Sequence, residues 1–130
     1  MADAVTSQTL VDGDRNLVMK FTNISDGTGE SAVVKVDVST LSGYGAWSKV
    51  RIDKIAAQTF GMGVNILWDA TSDVTCFVIG QNANLEHDFR AFGGLQNNAG
   101  AGVTGDINFT TLGHTLGDTY SIVLYMSKHA

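Results

Sequence analysis

Alternation of apolar and polar residues with a period of two is the feature that most constrains this chain. It is clearest at Leu17–Ile24, Ser31–Val38 and Tyr120–Ser127. In Ser31–Val38, Val34 and Val36 would share one face while Lys35 lies on the other. Successive side chains of a β-strand point to opposite faces of a sheet, so this pattern predicts half-buried strands.

Five further segments have the length of a strand and are rich in apolar residues. Turn clusters rich in Gly, Asn and Asp lie between them. They are Val5–Val11, Lys49–Ala57, Val64–Asp69, Val74–Ile79 and Asp106–Thr111. No window of a dozen residues carries a helical apolar stripe, and the chain has 15 glycines and no proline. These features predict an all-β fold, a single antiparallel β-sandwich of jelly-roll-like or Greek-key type with about eight strands.

The whole chain, residues 1–130, suits one such domain. Residues 1–11 are expected to form either an edge strand or an extended N-terminal arm. The segment Gln81–Gly105 shows neither period and is predicted to be one long irregular loop.

Composition limits the classes of function. Hydrophobic residues make up 44% of the 130 residues, which favours a folded core, and the net charge of −5 argues against direct binding to nucleic acid. A single cysteine, Cys76, lies between apolar residues and is expected to be a buried, inert thiol. The N-terminus does not resemble a secretion signal and the apolar runs are too short to span a membrane, so we expect a protein made in a cytoplasm.

Motifs that normally carry chemistry are incomplete in this sequence. The stretch GAGVTG at 100–105 matches the letters of the dinucleotide-binding fingerprint, but a strand pattern follows it where a helix is needed. The stretch DGDRN at 12–16 begins like an EF-hand loop, but Leu17 and Asn23 stand where that loop needs Gly and Glu, so a hairpin turn is expected.

Catalytic and metal-binding sets are also not evident. The histidines His87, His114 and His129 lack the spacing of metal ligands. A pair of carboxylates for glycoside cleavage would have to come from four acids at strand ends, which are more often turn-formers: Asp69, Asp73, Glu86 and Asp88. We therefore predict no catalytic residues, no metal, no cofactor and no enzymatic activity.

Aromatic residues beside glycine in two connections are the candidate interface residues. Tyr44 and Trp47 lie in one connection, and Phe89, Arg90 and Phe92 lie in the other. Such aromatics either close the end of a sandwich or dock on a partner, and Arg90 between two phenylalanines favours docking.

Several turn-and-strand motifs together resemble a family of small virion structural proteins of tailed bacteriophages. They are WDATSD at 68–73, DFRAFGG at 88–94, GDINFTT at 105–111 and GDTYSIVL at 117–124, with MKFTN at 19–23 and KVDV at 35–38. The resemblance spans most of the chain and carries no reactive group.

What the resemblance implies is a β-rich subunit of the virion, first of all a capsid cement or decoration protein that bridges neighbouring capsid subunits. Its partners would be the major capsid protein or other virion subunits, and it would form a homo-oligomer, a trimer or dimer, without contacting nucleic acid or membrane. The alternatives are a tail, neck or baseplate subunit, or a carbohydrate- or receptor-binding module in which Tyr44 or Trp47 lies beside Asn97 and Asn98.

Overall fold

The computed structural model describes residues 4–13, 15–25, 27, 29–41, 43–45, 47, 49–82, 84–95, 97, 102–113 and 115–129. In these ranges the chain forms nine strands and two short 3-10 turns, Val38–Thr40 and Arg90–Phe92. The strands are β1 (Ala4–Asp12), β2 (Asn16–Ile24), β3 (Val33–Val36), β4 (Lys49–Phe60), β5 (Gly63–Trp68), β6 (Val74–Ile79), β7 (Asn84–Asp88), β8 (Ile107–Leu112) and β9 (Thr119–His129). No helix of the described ranges is long and apolar enough to cross a membrane.

Two antiparallel sheets pack face to face. One has the strand order β1-β2-β9-β4-β7 and the other the order β3-β8-β5-β6. The pairs β5·β6, β4·β7, β3·β8 and β2·β9 are nested like one long hairpin that has been folded over itself. This is the connectivity of a jelly roll, and it confirms the predicted all-β antiparallel sandwich.

The described part of the chain has one strand more than the eight predicted. The additional strand is β7, which lies inside the segment predicted to be irregular from Gln81. Its sequence, NLEHD, has Leu85 as its one apolar residue, so period-two reasoning gives it no signal. It forms because it pairs with Lys54–Gln58 of β4 at the edge of the sheet. The long irregular connection therefore runs from residue 89 to 106, and not from Gln81.

The core lies between the sheets and is largely aliphatic, with an aromatic centre. The ring of Phe109 on β8 contacts Phe21 of β2 edge-on, with 5.2 Å between centroids, and Tyr120 of β9 at 5.9 Å. All three rings are almost completely buried. Burying each large apolar side chain contributes roughly 1.5–3 kcal/mol, so this contact between the layers is a main source of stability.

A buried ion pair interrupts the apolar core. Lys35 pairs with Glu30, and both side chains are at most 5% exposed. The same carboxylate accepts hydrogen bonds from the hydroxyl of Tyr120 at 2.6 Å and from the amide of Asn23 at 2.9 Å. The network ties β3 and the segment before it to β2 and β9 of the opposite sheet.

The prediction that Lys35 lies opposite the buried face of β3 is wrong. A β-bulge shifts the register between Val34 and Val36, so Lys35 points inward and Val34 is exposed. A bulge adds one residue to a strand and changes the side to which the next residues point. Here the shift is stabilised by the ion pair with Glu30.

Strand β1 extends beyond the second sheet. It pairs with β2 alone, and the four-stranded sheet has one strand fewer, so no strand of that sheet lies opposite β1. Ser7 and Thr9, which share the inner face with Phe21 and Met19 of β2, are consequently exposed. Residues 4–12 thus form an edge strand in this structure rather than a free arm, and residues 1–3 lie outside the described part.

Candidate docking surfaces

The antiparallel order places alternate connections at opposite ends of the sandwich. We call one end the aromatic end, because it carries the predicted interface residues; its connections are 13–15, 37–48, 69–73 and 89–106. We call the other the apolar end; its connections are 25–32, 61–62, 80–83 and 113–118.

Trp47 closes the aromatic end. It is 6% exposed, and the ammonium group of Lys128 lies 5.0 Å from the centroid of its ring. Lys128 also pairs with the carboxylate of Asp12, beside a tight hairpin turn in which the N–H of Gly13 donates to a backbone carbonyl at 2.9 Å. Tyr44 contacts Trp47 edge-on at 5.8 Å and remains about half exposed. Of this pair, Tyr44 is therefore the residue that a partner can reach, and the predicted hairpin turn is confirmed.

Phe89 and Arg90 have different environments. Phe89 is half-buried and contacts Phe77 of β6 at 5.7 Å and the ring of His87 at 6.1 Å, so it covers the flank between the two sheets. Arg90 is exposed and binds the carboxylate of Asp88 through two nitrogens, Nε at 3.0 Å and Nη2 at 2.6 Å. These hydrogen bonds lower the pKa of Asp88 to about 2.

Four other residues named in the sequence analysis lie partly or wholly outside the described part of the chain. Phe92 contributes its backbone to the 3-10 turn at 90–92, and its side chain lies outside the described residues. Asn98 and His114 also lie outside them, as does the side chain of His129.

Of the four acids named in the sequence analysis, Asp69 and Asp73 hold the turn after β5, whereas Glu86 lies inside β7 and pairs with Lys54. Asp73 accepts the N–H of Ala70 at 3.0 Å, and Asn108 donates to both Asp69, at 2.9 Å, and Asp73, at 3.1 Å. Desolvation raises the pKa of Asp106 at the same end, and the nearby carboxylates of Asp37 and Asp69 add to the rise. Among the described residues, no three His, Cys, Asp or Glu side chains are grouped so that they could hold a metal ion.

The apolar end carries exposed hydrophobic side chains that sequence reasoning missed. Ile24 and Phe60 lie on either side of Thr119 in one row across β2, β9 and β4, and they are 60% and 65% exposed. Leu116, 78% exposed, lies in the connection whose Gly117 donates its N–H to the carbonyl of Ser25 at 2.9 Å.

A hollow of about 480 Å³ separates Ile24 from Phe60, and its floor includes Thr22, Gln58 and Ser121. The sequence did contain a signal for this surface. Ile24 has the same parity as the outward-facing residues of β2, and several exposed apolar residues grouped at one end of a domain are a sign of contact with a partner. In sequence comparisons the chain matches no protein-family model and no curated protein.

Proposed function

We propose that this chain is a structural protein of a tailed-bacteriophage virion, most directly a capsid cement or decoration protein that bridges neighbouring capsid subunits. The observation that carries the proposal is the apolar end, where Ile24, Phe60 and Leu116 are exposed on a rigid support. Exposed apolar groups that are close together favour association with another protein surface. The resemblance of the turn-and-strand motifs to virion proteins supplies the class of partner.

The rigidity of the support suits this task. A cement protein must hold capsid subunits together against the outward pressure of packaged DNA, so its own fold must not yield. The layers are joined by the edge-on contacts of Phe109 with Phe21 and Tyr120, and by the hydrogen bond that Tyr120 donates to the buried Glu30. Many copies at symmetric positions add their interface energies through multivalent binding, so each contact can be modest.

Particles that lack this protein, mixed with the purified chain, test the proposal. We expect bound copies per particle to saturate, electron microscopy to show added density on the head, and the temperature of genome release to rise. Density on the tail, neck or baseplate would instead assign the chain to those parts. Failure to associate with any part of the particle would contradict the proposal.

Two substitutions test the apolar end directly. In Ile24→Asp with Phe60→Asp, two contacts worth roughly 1.5–3 kcal/mol each are lost if the partner buries them. We expect the affinity for particles to fall at least tenfold. The matched control is Val11→Asp, an exposed apolar residue of β1 beside the hairpin turn at the aromatic end, which should bind like the unaltered chain. If the unaltered chain, the double variant and the control bind particles equally well, the apolar end is not the docking surface.

The carbohydrate-binding alternative stays a prediction. The structure buries Trp47 under Lys128, which leaves Tyr44 as the exposed aromatic residue of that connection. Sugar sites use an exposed aromatic face together with polar side chains, so Tyr44→Ala is the variant that a glycan-binding assay should compare with the unaltered chain.

A further inference from the structure

Strand β1 has an edge that no other strand of the described residues covers. One side of β1 is paired with β2, and the other side presents backbone N–H and C=O groups to solvent along residues 4–9. The described side chains from Thr6 to Val11 are all exposed, because β1 lies beyond the four-stranded sheet. A long exposed edge strand is a template for pairing with another strand.

The other three edges are less suited to pairing. Strand β7 has five residues, of which Glu86 and Asp88 carry charge. Strand β3 has four residues and contains the bulge at Lys35. Strand β6 is interrupted by a bulge at Cys76, so its longest regular stretch has three residues. Charges, short length and bulges are the devices that protect edge strands.

Strand β1 lacks these devices over its first six residues. The register with β2 is continuous over Ala4–Thr9 and shifts only at Leu10. The segment contains no proline and no charged residue. Its partner must therefore present an uncharged antiparallel edge of similar length, and a second copy of this chain presents one.

We propose that two copies of the chain pair through β1, antiparallel and across a two-fold axis, so that two five-stranded sheets become one continuous sheet. An antiparallel edge is self-complementary under a two-fold axis, which is the commonest symmetry of protein dimers. If the two-fold axis is perpendicular to the sheet, the outer faces of both copies lie on the same side of the joined sheet. Odd-numbered residues of β1 then lie opposite odd-numbered residues of the second copy, and even opposite even. The centre of the paired segment then lies at Thr6 or Ser7.

The side chains at this centre are compatible with self-pairing. Thr6 already contacts Thr22 of β2 through its hydroxyl group, and Ser and Thr pairs across strands are favourable. Ser7 projects to the uncovered inner side, so a larger side chain there meets open space. The pairing depends on the geometry of this edge and not on the proposed role in the virion, so either can fail without the other.

Sedimentation velocity from about 1 μM to about 1 mM tests the pairing. The unaltered chain of 13.8 kDa should show a reversible increase to twice its mass. With Ser7 at the centre, Ser7→Lys places the two lysines directly opposite each other across the axis. With Thr6 at the centre, it places them diagonally opposite. We expect the dimer dissociation constant to rise at least about threefold, and an equimolar mixture of Ser7→Lys with Ser7→Glu to restore pairing.

The matched control is Asn84→Lys, which adds the same charge to the edge strand at the other side of the same sheet. It should dimerise like the unaltered chain. A chain that stays monomeric up to 1 mM overturns the proposal. So does a dimer that Ser7→Lys leaves unchanged, or one that Asn84→Lys weakens in its place.

Oxidative cross-linking separates paired edges from exchanged strands. One of the two variants Thr6→Cys and Ser7→Cys should form a disulfide-linked dimer, because the residue on the two-fold axis lies directly opposite its copy. The native Cys76 should not compete, because burial raises the pKa of its thiol to about 12. A reversible dimer in which both variants stay uncross-linked would indicate a different contact and would overturn the edge pairing.

Discussion

Removing the ammonium group of Lys35 tests the role of the buried ion pair. Lys35→Met keeps the length of the side chain but leaves the carboxylate of Glu30 with no cation, at 5% exposure. The hydrogen bonds from Tyr120 and Asn23 remain, yet they do not neutralise the charge. Breaking one side of a buried pair typically costs about 3–5 kcal/mol.

This cost is large compared with the whole stability of the fold. Native domains are stable by about 5–15 kcal/mol, so Lys35→Met should remove about a third of the free energy of unfolding. For 130 residues that corresponds to a fall in melting temperature of roughly 10–20 °C. Adding Glu30→Gln removes the isolated charge and keeps an oxygen for Tyr120, so the double variant should recover most of the loss.

Urea unfolding at pH 7 measures these differences, with circular dichroism as the signal. The control is Lys54→Met, which breaks the pair with Glu86, a residue that is 65% exposed; it should cost less than about 1 kcal/mol. If Lys35→Met costs no more than Lys54→Met, or the double variant is as unstable as the single one, the ion pair does not hold the layers as argued.

Three further outcomes follow from individual residues. Cys76 is partly buried, and with a thiol pKa of about 12 it should react with a disulfide reagent at pH 8 far more slowly than an exposed cysteine does; complete reaction within seconds under native conditions would contradict this. Arg90→Gln should return the pKa of Asp88 from about 2 towards 3.8 in an NMR titration, and the stabilising contribution of the pair, present above pH 3.8, should be lost as the pH falls through about 2. Gly61→Ala should lower the melting temperature more than Gly117→Ala, because both glycines have positive φ but only the first would place a methyl carbon 2.1 Å from a carboxylate oxygen; equal shifts would contradict the clash.

The sequence predicted the fold where one face of a strand is buried along its whole length. Strands β2 and β9 are of this kind, and their alternating residues pack as the pattern predicts, from Leu17 to Met126. Strand β7 has no such face, since its residues are mostly exposed and its pairing with β4 is specified by backbone hydrogen bonds. The bulge at Lys35 escaped prediction because its cause, Glu30, lies outside the strand.

The sequence predicted which connections carry the candidate interface aromatics, but not which of those aromatic side chains are buried. Both aromatic connections lie at one end of the sandwich, as loops of a jelly roll must. Trp47 is buried and Tyr44 is exposed, and Lys128 of the last strand lies over the ring of Trp47. Because Lys128 is far away in the sequence, no local pattern shows which of the two aromatic residues is buried. Ile24 and Phe60 could have been found by extending the parity of their strands to the final residue.

The distribution of charge connects the fold with the proposed role. Three acids are engaged in holding the fold: Glu30 pairs with Lys35, Asp12 pairs with Lys128, and Asp69 accepts a hydrogen bond from Asn108. What faces solvent at the apolar end and along β1 is instead hydrophobic side chains and unpaired backbone. Such surfaces gain free energy by covering one another, and ionic groups fixed inside the sandwich keep them in a constant shape while they do so. Under the two proposals, the apolar end would face a virion subunit and β1 would face a second copy of the chain.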